Sequence, residues 1–126
     1  MDKLAKENFF FASESVGEGH PDKLCDQVSD GILDACLKTD VNARVAMETG
    51  TKTKMVVLLG ETTVNGPRVN YEQIARDVCG QIGYDDEKKG LDYKNTSVIV
   101  NVEGQSQEIA ASVHLQKDES DFGAGD

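Results

Sequence analysis

The segment from Gly17 to Thr39 leaves this chain little conformational freedom. Gly17-Glu18-Gly19 runs into His20-Pro21-Asp22, and a proline at the first helical position with an acid in the first turn is a helix start. Leu24/Cys25, Val28, Ile32 and Ala35/Cys36 then recur at helical spacing, while Asp22, Asp26, Asp30 and Asp34 fall on other faces. The pattern predicts a helix of about five turns, ending near Thr39-Asp40. Such a helix has one apolar stripe and must bury it against another element.

Those other elements are legible too. Phe9, Phe10 and Phe11 open an apolar, strand-like segment that reaches about Val16. Arg44 to Thr49 and Lys54 to Thr63 read as two strands, the second largely buried. Val64-Asn65-Gly66-Pro67 is turn chemistry. Asn70 is a candidate N-cap with Gln73 three residues on, followed by Ile74, Ala75, Val78 and Ile82 on one helical face. Gly83 to Lys94 reads as an acidic loop, and Ser97 to Val102 as the last strong strand. The order predicts an α+β fold, a β-α-β-β-α-β unit with both helices on one face of a sheet. Met55 to Leu59 is apolar on both alternating faces, which points to a partner domain or subunit over the other side.

Charge and length narrow the function classes. With 126 residues the chain suits one domain and one core. Thirteen Lys and Arg stand against 23 Asp and Glu, a net charge of −10, which argues against a basic nucleic-acid-binding face. It does not exclude phosphates that arrive with metal ions, because carboxylates hold the cations that hold the phosphates. The longest apolar run, Met55 to Leu59, falls far short of the roughly 20 residues that span a bilayer. The N-terminus lacks an apolar signal core. Cys25, Cys36 and Cys79 show no paired spacing and read as buried free thiols, which makes the cytoplasm the expected location.

Three groups of residues carry candidate chemistry. Gly17 to Lys23 fits neither the G-x-x-x-x-G-K-[ST] phosphate loop nor the dinucleotide fingerprint, since Asp22 stands at the third glycine position. It still places flexible glycines before a helix N-terminus, where free N–H groups favour an anion. There His20 can donate to a phosphate oxygen and Asp22 can hold a divalent cation. The plainer alternative is that Asp22 only complements the helix dipole and His20 is a solvated loop residue. Glu14, Glu48 and Glu61 form the second group. Glu48 and Glu61 sit in strand-like runs, where a buried carboxylate needs a cation or donor and an exposed one needs neither. The third is the polar stretch Gln105 to Asp126, either a lid or a frayed end.

Phe11-Ala12-Ser13-Glu14-Ser15-Val16-Gly17-Glu18-Gly19-His20-Pro21-Asp22-Lys23 resembles the opening motif of the S-adenosylmethionine synthetases (methionine adenosyltransferases). The similarity continues through Asp26-Gln27-Val28-Ser29-Asp30, Glu48-Thr49, Gly60-Glu61-Thr62-Thr63, Ile82-Gly83-Tyr84 and Gln105-Ser106 to Gly123-Ala124-Gly125-Asp126. The resemblance implies adenosyl transfer from ATP to L-methionine with release of pyrophosphate and phosphate. It also implies Mg2+ and K+ as cofactors and a homodimer, or dimer of dimers, whose sites lie between subunits. By that resemblance His20 matches the histidine at the ATP triphosphate. Asp22 and Glu14 match Mg2+ ligands, Glu48 the K+ site, Glu61 and Gln105 methionine contacts, and Asp126 an acid at the substrate. It further implies three similar units per full-length chain. Residues 1–104 are then expected to be the first domain, and 105–126 a loop leading to the second. On that expectation the chain alone is inactive, because the downstream lysines and second metal aspartate lie beyond it. Two departures stand out: Ser106-Gln107-Glu108 replaces Ser-Pro-Asp, and Lys54 replaces a common glycine. The competing expectation is a non-catalytic α+β interaction or regulatory module that retains the motif.

Overall fold

A computed structural model describes residues 9–104. Helix α1 spans Pro21–Thr39 and starts and stops where the local signals put it. Leu24, Val28, Ile32 and Cys36, spaced four apart, are its buried stripe. The chain then turns into β1 (Arg44–Lys52) and β2 (Met55–Thr63), an antiparallel pair joined at Thr53-Lys54. Lys54 takes the left-handed conformation, φ 60°. Helix α2, Tyr71–Ile82, is capped by Asn70, whose side chain accepts the Gln73 N–H at 3.1 Å. It ends on Gly83 in the left-handed region, φ 109°.

The segment expected to be an acidic loop is partly ordered. It holds two short strands, β3 (Asp85–Asp86) and β4 (Leu91–Asp92), around a 3-10 turn at Glu87–Lys89. Strand β5, Ser97–Gly104, then lies parallel to β2, giving a mixed sheet in the order β1-β2-β5. The α+β class is borne out, with a correction to its first element. Residues 9–17 form no strand among the described residues, and Phe9, Phe10 and Phe11 are exposed. Apolar pattern supplies strand propensity, but a strand also needs a ladder partner. The three-stranded sheet pairs with nothing in this segment.

The core lies between the helices and one face of the sheet. Val56 and Leu58 of β2 are fully buried against residues of both helices, so the helices share a face as expected. Fully burying such side chains stabilises by roughly 1.5–3 kcal/mol each. The helices cross at Gly31, where a Cβ would stand 3.2 Å from Val78 Cγ2 and 3.3 Å from Ile74 Cγ2. Among the described residues the opposite face of the sheet carries no helix: Leu59 and Ile99 are each 47% exposed there.

Candidate functional site

His20 occupies the N-cap of α1. Its Nδ1 accepts the Asp22 N–H at 3.2 Å, and its carbonyl accepts the Leu24 N–H at 2.8 Å. In a neutral imidazole the nitrogen that accepts cannot also carry the proton, so this bond leaves Nε2–H as the donor. The Asp22 carboxylate lies 3.9 Å from Nδ1, outside hydrogen-bond range. Asp22 is exposed in the first turn, where its charge complements the helix dipole. His20 is therefore a built part of the helix start rather than a free loop residue.

The loop before it is held by its carbonyls. Gln27 Nε2 donates to the carbonyls of Glu18 and Lys23, each at 3.0 Å. The His20 N–H donates to the Gly17 carbonyl at 3.0 Å, and the Tyr84 hydroxyl donates to the Gly19 carbonyl. Next to this loop, Pro21, Leu24, Thr51, Lys52, Tyr84, Lys89 and Leu91 line a cavity of about 390 Å³. A second cleft, of about 450 Å³ between Arg68–Glu72 and Val100, touches none of the candidate residues.

Glu48 and Glu61 lie on the helix-free face and are exposed. Register decides this. Glu48 pairs with Leu59 and Glu61 with Ala46, while Thr49, one residue over, hydrogen-bonds Ser29 of α1 at 2.8 Å. Of the two alternatives left by the pattern, the exposed one holds, and neither carboxylate carries a burial cost. Sequence reasoning missed Glu103, which pairs with Glu61 across β5. Alternation along β5 was its only signal.

The structure does not gather the candidates into one place. Pro21 and Leu24 lie by Thr51 and Lys52, so the start of α1 sits at the hairpin end of the sheet. Glu61 pairs with Ala46, six residues back along β1, or about 20 Å at strand rise. Glu14 is exposed in the irregular segment before the loop. Gln105, Asp126 and the whole 105–126 stretch lie outside the described residues. Among the described residues no three acids, histidines or cysteines come close enough to cage a metal. Cys36 and Cys79 are buried and Cys25 partly so, as expected of free thiols. Burial pushes all three thiols up, Cys79 to about 11.

Fold and site together define a class: an α+β domain with both helices on one sheet face, a histidine-capped helix start at one end and exposed carboxylates on the other face. A comparison with family profiles fixes it further. The family described as S-adenosylmethionine synthetase, N-terminal domain, matches residues 8–107. The chain belongs to that family.

Proposed function

We propose that this chain supplies the N-terminal share of an enzyme that makes S-adenosylmethionine from ATP and L-methionine. In that reaction the methionine sulfur uses a lone pair to form a bond to ribose C5′. The C5′–O bond breaks, and the triphosphate leaves and is then hydrolysed to pyrophosphate and phosphate. The sulfur has no proton to lose, so the chemistry needs alignment and stabilisation of the departing oxygen more than a base.

His20 meets that need: its Nε2–H is the free donor, and the cap bond fixes which nitrogen bears the proton. The observation that carries the reading is this capped histidine at a helix start, in a chain of this family. Mg2+ keeps several waters and takes one or two carboxylates plus phosphate oxygens, so the exposed single carboxylate of Asp22 fits it, with Glu14 as second candidate. When bound, Mg2+ supplies neutralisation of triphosphate charge. Glu48 offers one exposed carboxylate toward K+, which needs further oxygens from elsewhere. Glu61 on the bare face, with Gln105 and Asp126, is proposed to hold the methionine and adenosyl groups.

The distance between His20 and Glu61 supports a homodimeric arrangement. The start of α1 lies beside Lys52, and Glu61 pairs with Ala46 about 20 Å further along β1, so the two can belong to different sites. They can serve two sites if a second subunit covers the bare face, and Leu59 and Ile99 give that face apolar area to bury. Residues 1–104 are then one domain and 105–126 the loop toward the next. No helix among the described residues is long and apolar enough to cross a membrane. The reduced thiols suit the cytoplasm.

The test is His20→Asn in a polypeptide that also carries the remaining family domains. Adenosyl transfer is expected to slow by about 100-fold, the scale of losing one oxyanion donor, with ATP affinity changed less than tenfold. Equal losses in rate and affinity would show that His20 is only a binding residue.

A further inference from the structure

Tyr84 lies 65 residues after Gly19 in the chain and yet closes on the Gly17–His20 loop. Its backbone is committed on both sides. The N–H donates to the Cys79 carbonyl at 3.0 Å at the end of α2, and the carbonyl accepts the Tyr93 N–H at 2.9 Å. The ring packs against the core, and the hydroxyl donates to the Gly19 carbonyl. A rigid post thus reaches from the C-terminus of α2 to a loop that has two glycines and little packing: a Cβ on Gly17 would meet nothing within 4 Å.

The consequence follows from the planarity of the peptide. Carbonyl and N–H of one trans unit point in opposite directions. Fixing the Gly19 carbonyl therefore fixes the His20 N–H, which donates to Gly17, and with it the backbone angles at which His20 enters α1. Those angles decide whether Nδ1 can reach the Asp22 N–H. We propose that Tyr84 is a positioning residue: its hydroxyl holds the Gly19 carbonyl so that His20 caps α1 through Nδ1 and presents Nε2–H to a triphosphate. The last clause rests on the function proposed above, whereas the hold on His20 does not.

Tyr84→Phe removes the hydroxyl and keeps the ring. Tyr71→Phe is the matched control. It removes a hydroxyl partnered with Thr62 at 3.0 Å, at the opposite end of the 12-residue α2. In the 126-residue chain, Y84F is expected to speed amide exchange at Asp22 about fivefold and to shift the His20 imidazole 15N signals toward the other tautomer. Mg2+-tripolyphosphate, the probe ligand, should bind about fivefold more weakly to Y84F. Y71F should leave all three unchanged while lowering the unfolding midpoint comparably. A purely structural role predicts that the two variants behave alike, and that result would overturn the proposal. So would Y84F with unaltered Asp22 exchange and His20 signals. If a polypeptide that also carries the remaining family domains takes up no Mg2+-tripolyphosphate, the functional reading falls, and the exchange and 15N measurements still decide for or against the hold of Tyr84 on His20.

Discussion

Gly60 on the central strand β2 pairs with Met47 on β1, and replacing it gives a sharp test of the sheet. Its φ is 147°, a region that side chains rarely adopt, and a Cβ there would stand 2.0 Å from the Ala46 carbonyl oxygen. It would also stand 3.1 Å from Met47 Cα. Real Cβ contacts essentially never fall under 3.0 Å, so in Gly60→Ala β1 must retreat by about 1 Å or the pair must twist. The obstructing atom is backbone within a paired strand, so no side chain can swing aside. Overpacking of this kind costs about 1–3 kcal/mol, and the unfavourable backbone conformation about 1–3 more. A loss of about 4 kcal/mol is a large part of the roughly 5–15 kcal/mol that holds a small domain. Urea unfolding followed by far-ultraviolet circular dichroism and tyrosine fluorescence measures it. With a slope of about 1–2 kcal/mol per molar, the midpoint should fall by roughly 2–4 M. Gly50→Ala on β1 is the control: no atom lies within 4 Å of its Cβ, and the change should stay within about 0.5 kcal/mol. A G60A loss under about 1 kcal/mol would refute the close approach of β1 and β2 at this point.

Lys54→Gly should be more stable than Lys54→Ala by about 1 kcal/mol in urea unfolding, because both lose the ion pair to Glu87 and only alanine keeps the left-handed penalty at φ 60°. Asp40 accepts the backbone N–H groups of Asn65 and Asn42, which hold its carboxyl below the ordinary 3.8. Its contribution is present above that value and is lost as pH falls through the lowered one, so Asp40→Asn should flatten the fall in urea midpoint below about pH 4. Glu61→Gln should raise the urea midpoint of the chain at low salt and raise it less in 1 M salt, since Glu61 pairs directly with Glu103. A lower midpoint at low salt would show that Glu61 has a local partner.

What the sequence made legible follows from how local each determinant is. The start of α1 is written in Pro21 and Asp22, and that of α2 in Asn70 and Gln73, so both helices are readable over a few residues. The histidine cap was not, because Asn, Asp, Ser and Thr are the usual caps and nothing nearby marks Nδ1 as an acceptor. Strands β3 and β4 are two residues each and depend on left-handed Gly83 and Gly90 and on the Tyr93–Tyr84 bond, which no hydrophobic period records. The error at Phe9–Val16 has the same root. Three phenylalanines in a row satisfy the local rule for a strand, while the ladder partner that makes one is a distant matter. Tyr84 was visible only as part of a matched motif, and its contact with Gly19 needed the fold.

The bare sheet face shows the same division between local rules and function. On stability alone it is badly composed. Glu61 faces Glu103 directly and Glu48 diagonally, and like charges placed so on neighbouring strands repel. Beside them Leu59 and Ile99 leave apolar area in water. A chain selected only to hold this fold gains nothing from either feature, and Gln in place of Glu61 would serve it better. Both features are consistent with a face meant to be covered: the apolar residues gain from a second subunit, and the carboxylates gain from a cation or a substrate ammonium brought to that seam. On the proposed function, the repulsion between Glu61 and Glu103 is relieved by the substrate's countercharge. The start of α1 is built the opposite way, with the Asp22 N–H capped by His20 and the Gly19 carbonyl braced by Tyr84 within the chain. On the proposed function, one end of the site is preorganised by the chain itself and the other is left for a second subunit to complete.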